Sequence, residues 1–98
     1  MKIEVGKKYI VRAKEAGVFF GEITEKNGDE VTMKDVRCLW YWSGAASLME
    51  LANEGVRFPN DCKFTVKVSE LEILGVCEIL PCTDRAVACI EAVREWTA

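Results

Sequence analysis

The run Arg37-Cys38-Leu39-Trp40-Tyr41-Trp42-Ser43-Gly44-Ala45-Ala46 is the densest concentration of chemically capable side chains in this sequence. On an extended strand, tryptophans at i and i+2 point to one side and Tyr41 to the other. Two readings follow. Rings turned inward fill a small core, the more common role of aromatic residues. Rings turned outward make a platform for a planar ligand ring, and the free amides of a helix opening after Ser43-Gly44 then receive an anion such as phosphate. Arg37 and Arg12 could add bidentate contacts to that anion. The candidate ligand-binding residues are therefore Arg12, Arg37, Trp40, Trp42, Ser43 and Gly44.

Other chemistry finds little footing. The chain has no histidine, so its serines lack the usual base, and it has no G-x-S-x-G elbow, phosphate-binding Walker loop or G-x-G-x-x-G. Glu70 and Glu72 share one strand face with solvent-seeking neighbours, and paired carboxylates do acid–base work only where a pocket separates their pKa values. No catalytic residue is assigned, and the expectation is a non-enzyme. Five cysteines (Cys38, Cys62, Cys77, Cys82 and Cys89) make an odd set with no C-x-x-C pair. Four suitably spaced soft ligands are needed for structural zinc. The cysteines read instead as small hydrophobes in a reducing interior. No metal and no cofactor are expected. Met1 to Val5 meets a glycine and two lysines without an apolar stretch, so the expected location is the cytoplasm.

A length of 98 residues is one domain, spanning 1–98, and 50% hydrophobic residues are enough for a real core. Thirteen basic against sixteen acidic residues leave a net charge of −3, with no basic block. Binding driven by nucleic-acid phosphates normally needs a basic face, so nucleic acid is disfavoured as a partner. The apolar runs fall far short of the roughly 18 residues of a membrane helix.

The elements that must position the aromatic run read as strands first. Lys8–Lys14 alternates, Val18–Glu25 is β-branched and aromatic, and Asn27-Gly28 predicts a tight hairpin leading to a strand from Glu30 to Trp42. Gly21 marks a bulge, a bend or a close backbone approach. Ser47-Leu48-Met49-Glu50 fits a capping box for a short helix stopped by Gly55, although Ser43 could cap a longer one. Phe64, Val66 and Val68 alternate as a half-buried strand. Leu71–Leu80 is a longer strand broken or bent at Gly75 and ended by Pro81. Thr83 caps a last helix whose buried stripe is Ala86, Ile90 and Val93, with Cys89 and Trp96 beside it. The expected class is α+β: a small, strongly bent antiparallel β-sheet or SH3-like barrel with one inserted short helix and a C-terminal helix.

Three blocks carry a resemblance: Ala16-Gly17-Val18-Phe19-Phe20-Gly21-Glu22-Ile23, Asp35 to Leu48 with its W-x-W-x-G-A core, and Gly75 to Thr83. Together they resemble a family of small uncharacterised phage and prophage proteins, over about Lys8 to Trp96. Val36 and Cys38 depart from that family's alanine and arginine, and the second departure removes a positive charge from the supposed anion pocket. The resemblance implies the interior of an infected or lysogenic bacterial host and no particular reaction. The expected function is a non-catalytic binding module that sequesters a small nucleotide-like ligand, such as a host-defence signal. The alternatives are a module that inhibits a host protein and, more weakly, a single-stranded nucleic-acid-binding barrel. Apolar excess on the two short helices points to a homo-oligomer.

Overall fold

A computed structural model describes residues 1–98. Its elements run β1 (Tyr9–Ala13), β2 (Gly17–Asn27), β3 (Glu30–Tyr41), α1 (Leu48–Glu54), a 3-10 turn (Pro59–Asp61), β4 (Lys63–Phe64), β5 (Val68–Ile73), β6 (Val76–Pro81) and α2 (Asp84–Ala92). The strands form one six-stranded antiparallel sheet in the order β4-β3-β2-β1-β6, with β5 also on β3. β5 takes Val31–Val36 of β3, and β4 takes Leu39–Tyr41.

The architecture is α+β, as expected, but the sheet stays open and the SH3-like barrel does not form. β5 and β6 are separated only by Leu74-Gly75, yet they run to opposite edges of the sheet and share no ladder. Gly75, at φ +74, turns the chain between them. Its carbonyl accepts the Lys14 amide, while the Val76 amide donates to Asp29. The turn is thus tied to the end of β1 and to the β2–β3 turn, not to a hairpin of its own.

Several local readings hold. The β2–β3 hairpin forms, although its loop is Gly28-Asp29, with Asn27 paired to Glu30. Gly28 alone takes positive φ (+60) there, so the turn has the pattern with glycine in its first central position. Ser47 caps α1 by accepting the Glu50 amide, and Glu50 Oε1 accepts the Ala46 amide one residue before the cap. Thr83 caps α2 in the same way. Val66 and Val68 contradict the half-buried strand: β4 is two residues long and both valines stand exposed.

Two bulges decide where the aromatic run points. Between the pairs Phe20↔Arg37 and Glu22↔Lys34, β2 supplies one residue, Gly21, and β3 supplies two, Asp35 and Val36. Asp35 is the only non-glycine residue with positive φ (+48), the left-handed conformation that one form of bulge uses. A Cβ at Gly21 would stand 3.0 Å from the Lys34 carbonyl oxygen and the Val36 Cα, so glycine permits this close approach. The extra residue reverses the alternation. Val31 and Met33 face one core before it, and Val36 and Cys38 face the same core after it. Arg37 and Leu39 therefore turn to the opposite face.

Each face of the sheet buries its own core. Tyr9, Val11, Ala13, Phe19, Ile23, Val31, Met33, Val36 and Ile73 pack together within the bend of the sheet. On the other face Ile10, Phe20, Leu39 and Phe64 pack beneath Leu51 and Ala52 of α1 and Ala86 and Ile90 of α2. β1 is thus buried on both sides except at Arg12.

Candidate functional site

Arg37 is 2% exposed and its guanidinium is spent inside the protein. Nε donates to the Thr65 carbonyl (3.0 Å), Nη2 to Phe64 (3.2 Å), and Nη1 to both Ile90 (3.1 Å) and Val93 (2.9 Å). Its head also lies over the Phe64 ring, 5.5 Å from the centroid. Burial lowers its pKa, while Glu95 and Glu91 hold it up. Two of these acceptors lie at the end of α2, where the last carbonyls carry the helix's negative end. Arg37 is a C-cap and a rivet between β3, β4 and α2. That arrangement removes it from the anion pocket expected for it.

The other expected anion contacts do not assemble either. Arg12 lies exposed on β1, paired with Glu78 at 2.8 Å; that hydrogen bond raises its pKa. Ser43 and Gly44 do not open a helix. The Ser43 amide and carbonyl meet the Cys62 Sγ and the Phe58 amide, and the Gly44 carbonyl accepts the Arg57 amide. α1 begins five residues after Ser43, and the Glu50 carboxylate already occupies its N-terminal side.

The two tryptophans part company. Leu39 pairs with Phe64 and Tyr41 with Lys63, so Trp40 is the extra residue of the second bulge. Trp42, past the end of β3, packs against the helix-side core. Trp40 is thrown outward and is 67% exposed. The expectation of a shared side fails because the bulge breaks the period of two.

What the structure builds instead is an aromatic face that the sequence reading missed. Trp96 stacks on Trp40, with ring centroids 6.4 Å apart and planes 15° apart. Trp96 is 44% exposed and Tyr41, beside Trp40, is 53% exposed. Trp96 belongs to no helix. α2 stops at Ala92, and the chain then runs extended beside β4, with Glu95 bridged to Phe64 and the Trp96 amide donating to the Phe64 carbonyl at 2.8 Å. Lys63 Nζ sits 5.5 Å from the Trp96 centroid. A groove of about 640 Å³ runs alongside, its charged walls formed by Asp61, Lys63, Arg94 and Glu95. None of these four takes part in an ion pair. The signal in the sequence was Trp96 itself, placed three residues beyond Val93 with no local stop between them.

All five cysteines are free. Burial raises the pKa of Cys38 and Cys62, and it pushes Cys82 to about 12. These thiols are poor nucleophiles at neutral pH. No helix is long and apolar enough to cross a membrane.

Fold and site together define a small α+β domain with an open antiparallel sheet and one exposed aromatic face. Residues 6–90 match the family model described as Domain of unknown function (DUF6948), and the chain belongs to that family. No curated protein and no solved structure matches it.

Proposed function

We propose that this protein is a non-catalytic interaction module that works by holding another protein against the Trp40–Trp96 face. The observation that carries the reading is the stacked, outward pair itself, with Tyr41 beside it and charged residues around it. Binding hot spots are rich in tryptophan, tyrosine and arginine, set within a polar rim. The resemblance to phage and prophage proteins supports a bacterial cytoplasm as the setting and a host protein, inhibited by occlusion, as the partner.

Affinity capture from bacterial lysate with the parent and with Trp40→Ala as baits tests this, followed by calorimetry with the purified captured protein. The expected result is a binary complex weakened at least about tenfold, or 1.4 kcal/mol, by Trp40→Ala. Parent and variant capturing the same proteins with equal affinity would overturn it.

A second reading keeps the nucleotide-like ligand. The groove's volume lies within the range of small-molecule sites, and Trp96, Lys63 and Arg94 could serve a base and a phosphate. Asp61 and Glu95 in the same groove, and the loss of Arg37 to the interior, make it the weaker one. Tryptophan fluorescence quenched by a nucleotide panel, and insensitive to Trp42→Phe, would favour it over a protein partner.

A further inference from the structure

We infer that the Trp40–Trp96 face, when no foreign protein occupies it, closes on a second copy of this chain about a two-fold axis. The inference rests on reading this face as a protein-binding surface and commits to one occupant for the free state.

A two-fold interface presents one patch to itself, so every charge in it must find its opposite within that same patch. A face built for an acidic or a basic partner carries one dominant sign. This one carries Lys63 and Arg94 against Asp61 and Glu95, in a chain whose net charge is −3. All four are without ion-pair partners in their own chain and so are open to partners from a copy. Rotation of a copy by half a turn can set the acids of one chain against the bases of the other. The exposed rings of Trp40, Tyr41 and Trp96 then meet their own kind, and aromatic rings pack well in offset or edge-to-face arrangements.

One other apolar opening lacks this property. A groove of about 440 Å³ lies between the β1–β2 turn and the end of β5, lined by Ala16, Phe19, Leu71 and Leu74. Its charged residues are Glu15 and Glu72, which a two-fold copy would oppose with more carboxylates. A second opening, at Met1, Ile3 and Ile79, does mix signs in Lys26, Asp29 and Glu78. Glu78 already pairs with Arg12, however, and no aromatic ring lines that opening. Self-association is therefore assigned to the Trp40–Trp96 face.

Sedimentation velocity on the full chain, from about 1 to about 100 µM, tests the proposal. The parent is expected to reach twice its 11.0 kDa chain mass. Trp40→Ala should stay at chain mass where the parent is paired, and its melting curve by circular dichroism should match the parent's at concentrations where both are monomeric. Two further variants make the groove all acidic (Lys63→Glu with Arg94→Glu) or all basic (Asp61→Lys with Glu95→Lys). Each should be monomeric alone, and a one-to-one mixture should recover twice the chain mass, which also shows both to be folded. A parent that stays at chain mass throughout overturns the inference. So does a paired parent that is indifferent to Trp40→Ala and to the charge reversals. If the parent is monomeric but a captured protein binds in a Trp40-dependent way, the inference alone has failed; if neither occurs, the reading beneath it has failed too.

Discussion

Arg37 and Trp96 share one acceptor: the Phe64 carbonyl receives the Trp96 amide at 2.8 Å and Arg37 Nη2 at 3.2 Å. The buried cation and the exposed ring are thus ends of one construction. Arg37 holds the last turn of α2 and the strand-like tail after it, and that tail presents Trp96 to Trp40. Arg37 is a positioning residue, acting on the face through Phe64 and Val93.

Arg37→Ala leaves the Thr65 and Val93 carbonyls without the charged donor that serves them and leaves Phe64 and Ile90 with only their backbone donors. A loss of roughly 3 kcal/mol of stability is expected. Hydrogen exchange separates this from general damage. The amides of Val93 and Trp96 should lose protection before those of β1 in Arg37→Lys, whose single ammonium cannot serve all four acceptors.

The tryptophans should answer differently to truncation. Trp42→Ala removes packing from the helix-side core and is expected to cost about 2 kcal/mol in a denaturant titration. At concentrations where the parent is monomeric, Trp40→Ala should stay within about 0.5 kcal/mol of the parent, because its ring is mostly in water. Equal losses at the two positions would contradict the bulge geometry.

Alkaline pH should weaken the fold through its thiols. The folded protein holds Cys82 protonated up to about 12, whereas the unfolded chain releases that proton near the ordinary 9.0. Between those values the native state binds more protons, so stability falls as pH rises, by at most about 1.4 kcal/mol per pH unit for this group. Melting curves from pH 7 to above 10 should show the decline, and Cys82→Ala should make it shallower. Cys38 and Cys62, shifted in the same direction, keep some slope in the variant.

Gly55→Ala tests the join between the helices. Gly55 sits at φ +80, and an added Cβ would stand 2.5 Å from both Cβ and Sγ of Cys89. The expected cost is about 2 kcal/mol or more. Cys89→Ala should not rescue it, since the Cys89 Cβ is itself one of the clashing atoms.

The elements governed by local chemistry were legible. Asn27-Gly28 marked the hairpin, Ser47 and Thr83 announced the two helices, and Ala86, Ile90 and Val93 spaced out the face that α2 and its cap bury. What escaped depended on residues distant in sequence. Nothing local to Asp35 or Trp40 shows that β3 carries an extra residue at each place, and one such residue reverses every side chain that follows it. Arg37 looked like an anion ligand because its true acceptors are carbonyls 27 to 56 positions away. Likewise Trp96 looked like a helical neighbour of the buried stripe of α2, because the helix ends on a tertiary cap with no glycine or proline to announce it.

The claim that the Trp40–Trp96 face holds a protein is tested most directly by photo-crosslinking in bacterial cells. Benzoylphenylalanine placed at Tyr41 leaves the tryptophan pair intact, and the same group at the exposed Glu25, on the distal hairpin, is the control. The account predicts a discrete adduct from position 41 with a protein other than this chain, distinct in mass from a self-adduct, abolished by Trp40→Ala, and none from position 25. An absence of such an adduct at 41, or the same adducts from both positions, would contradict it.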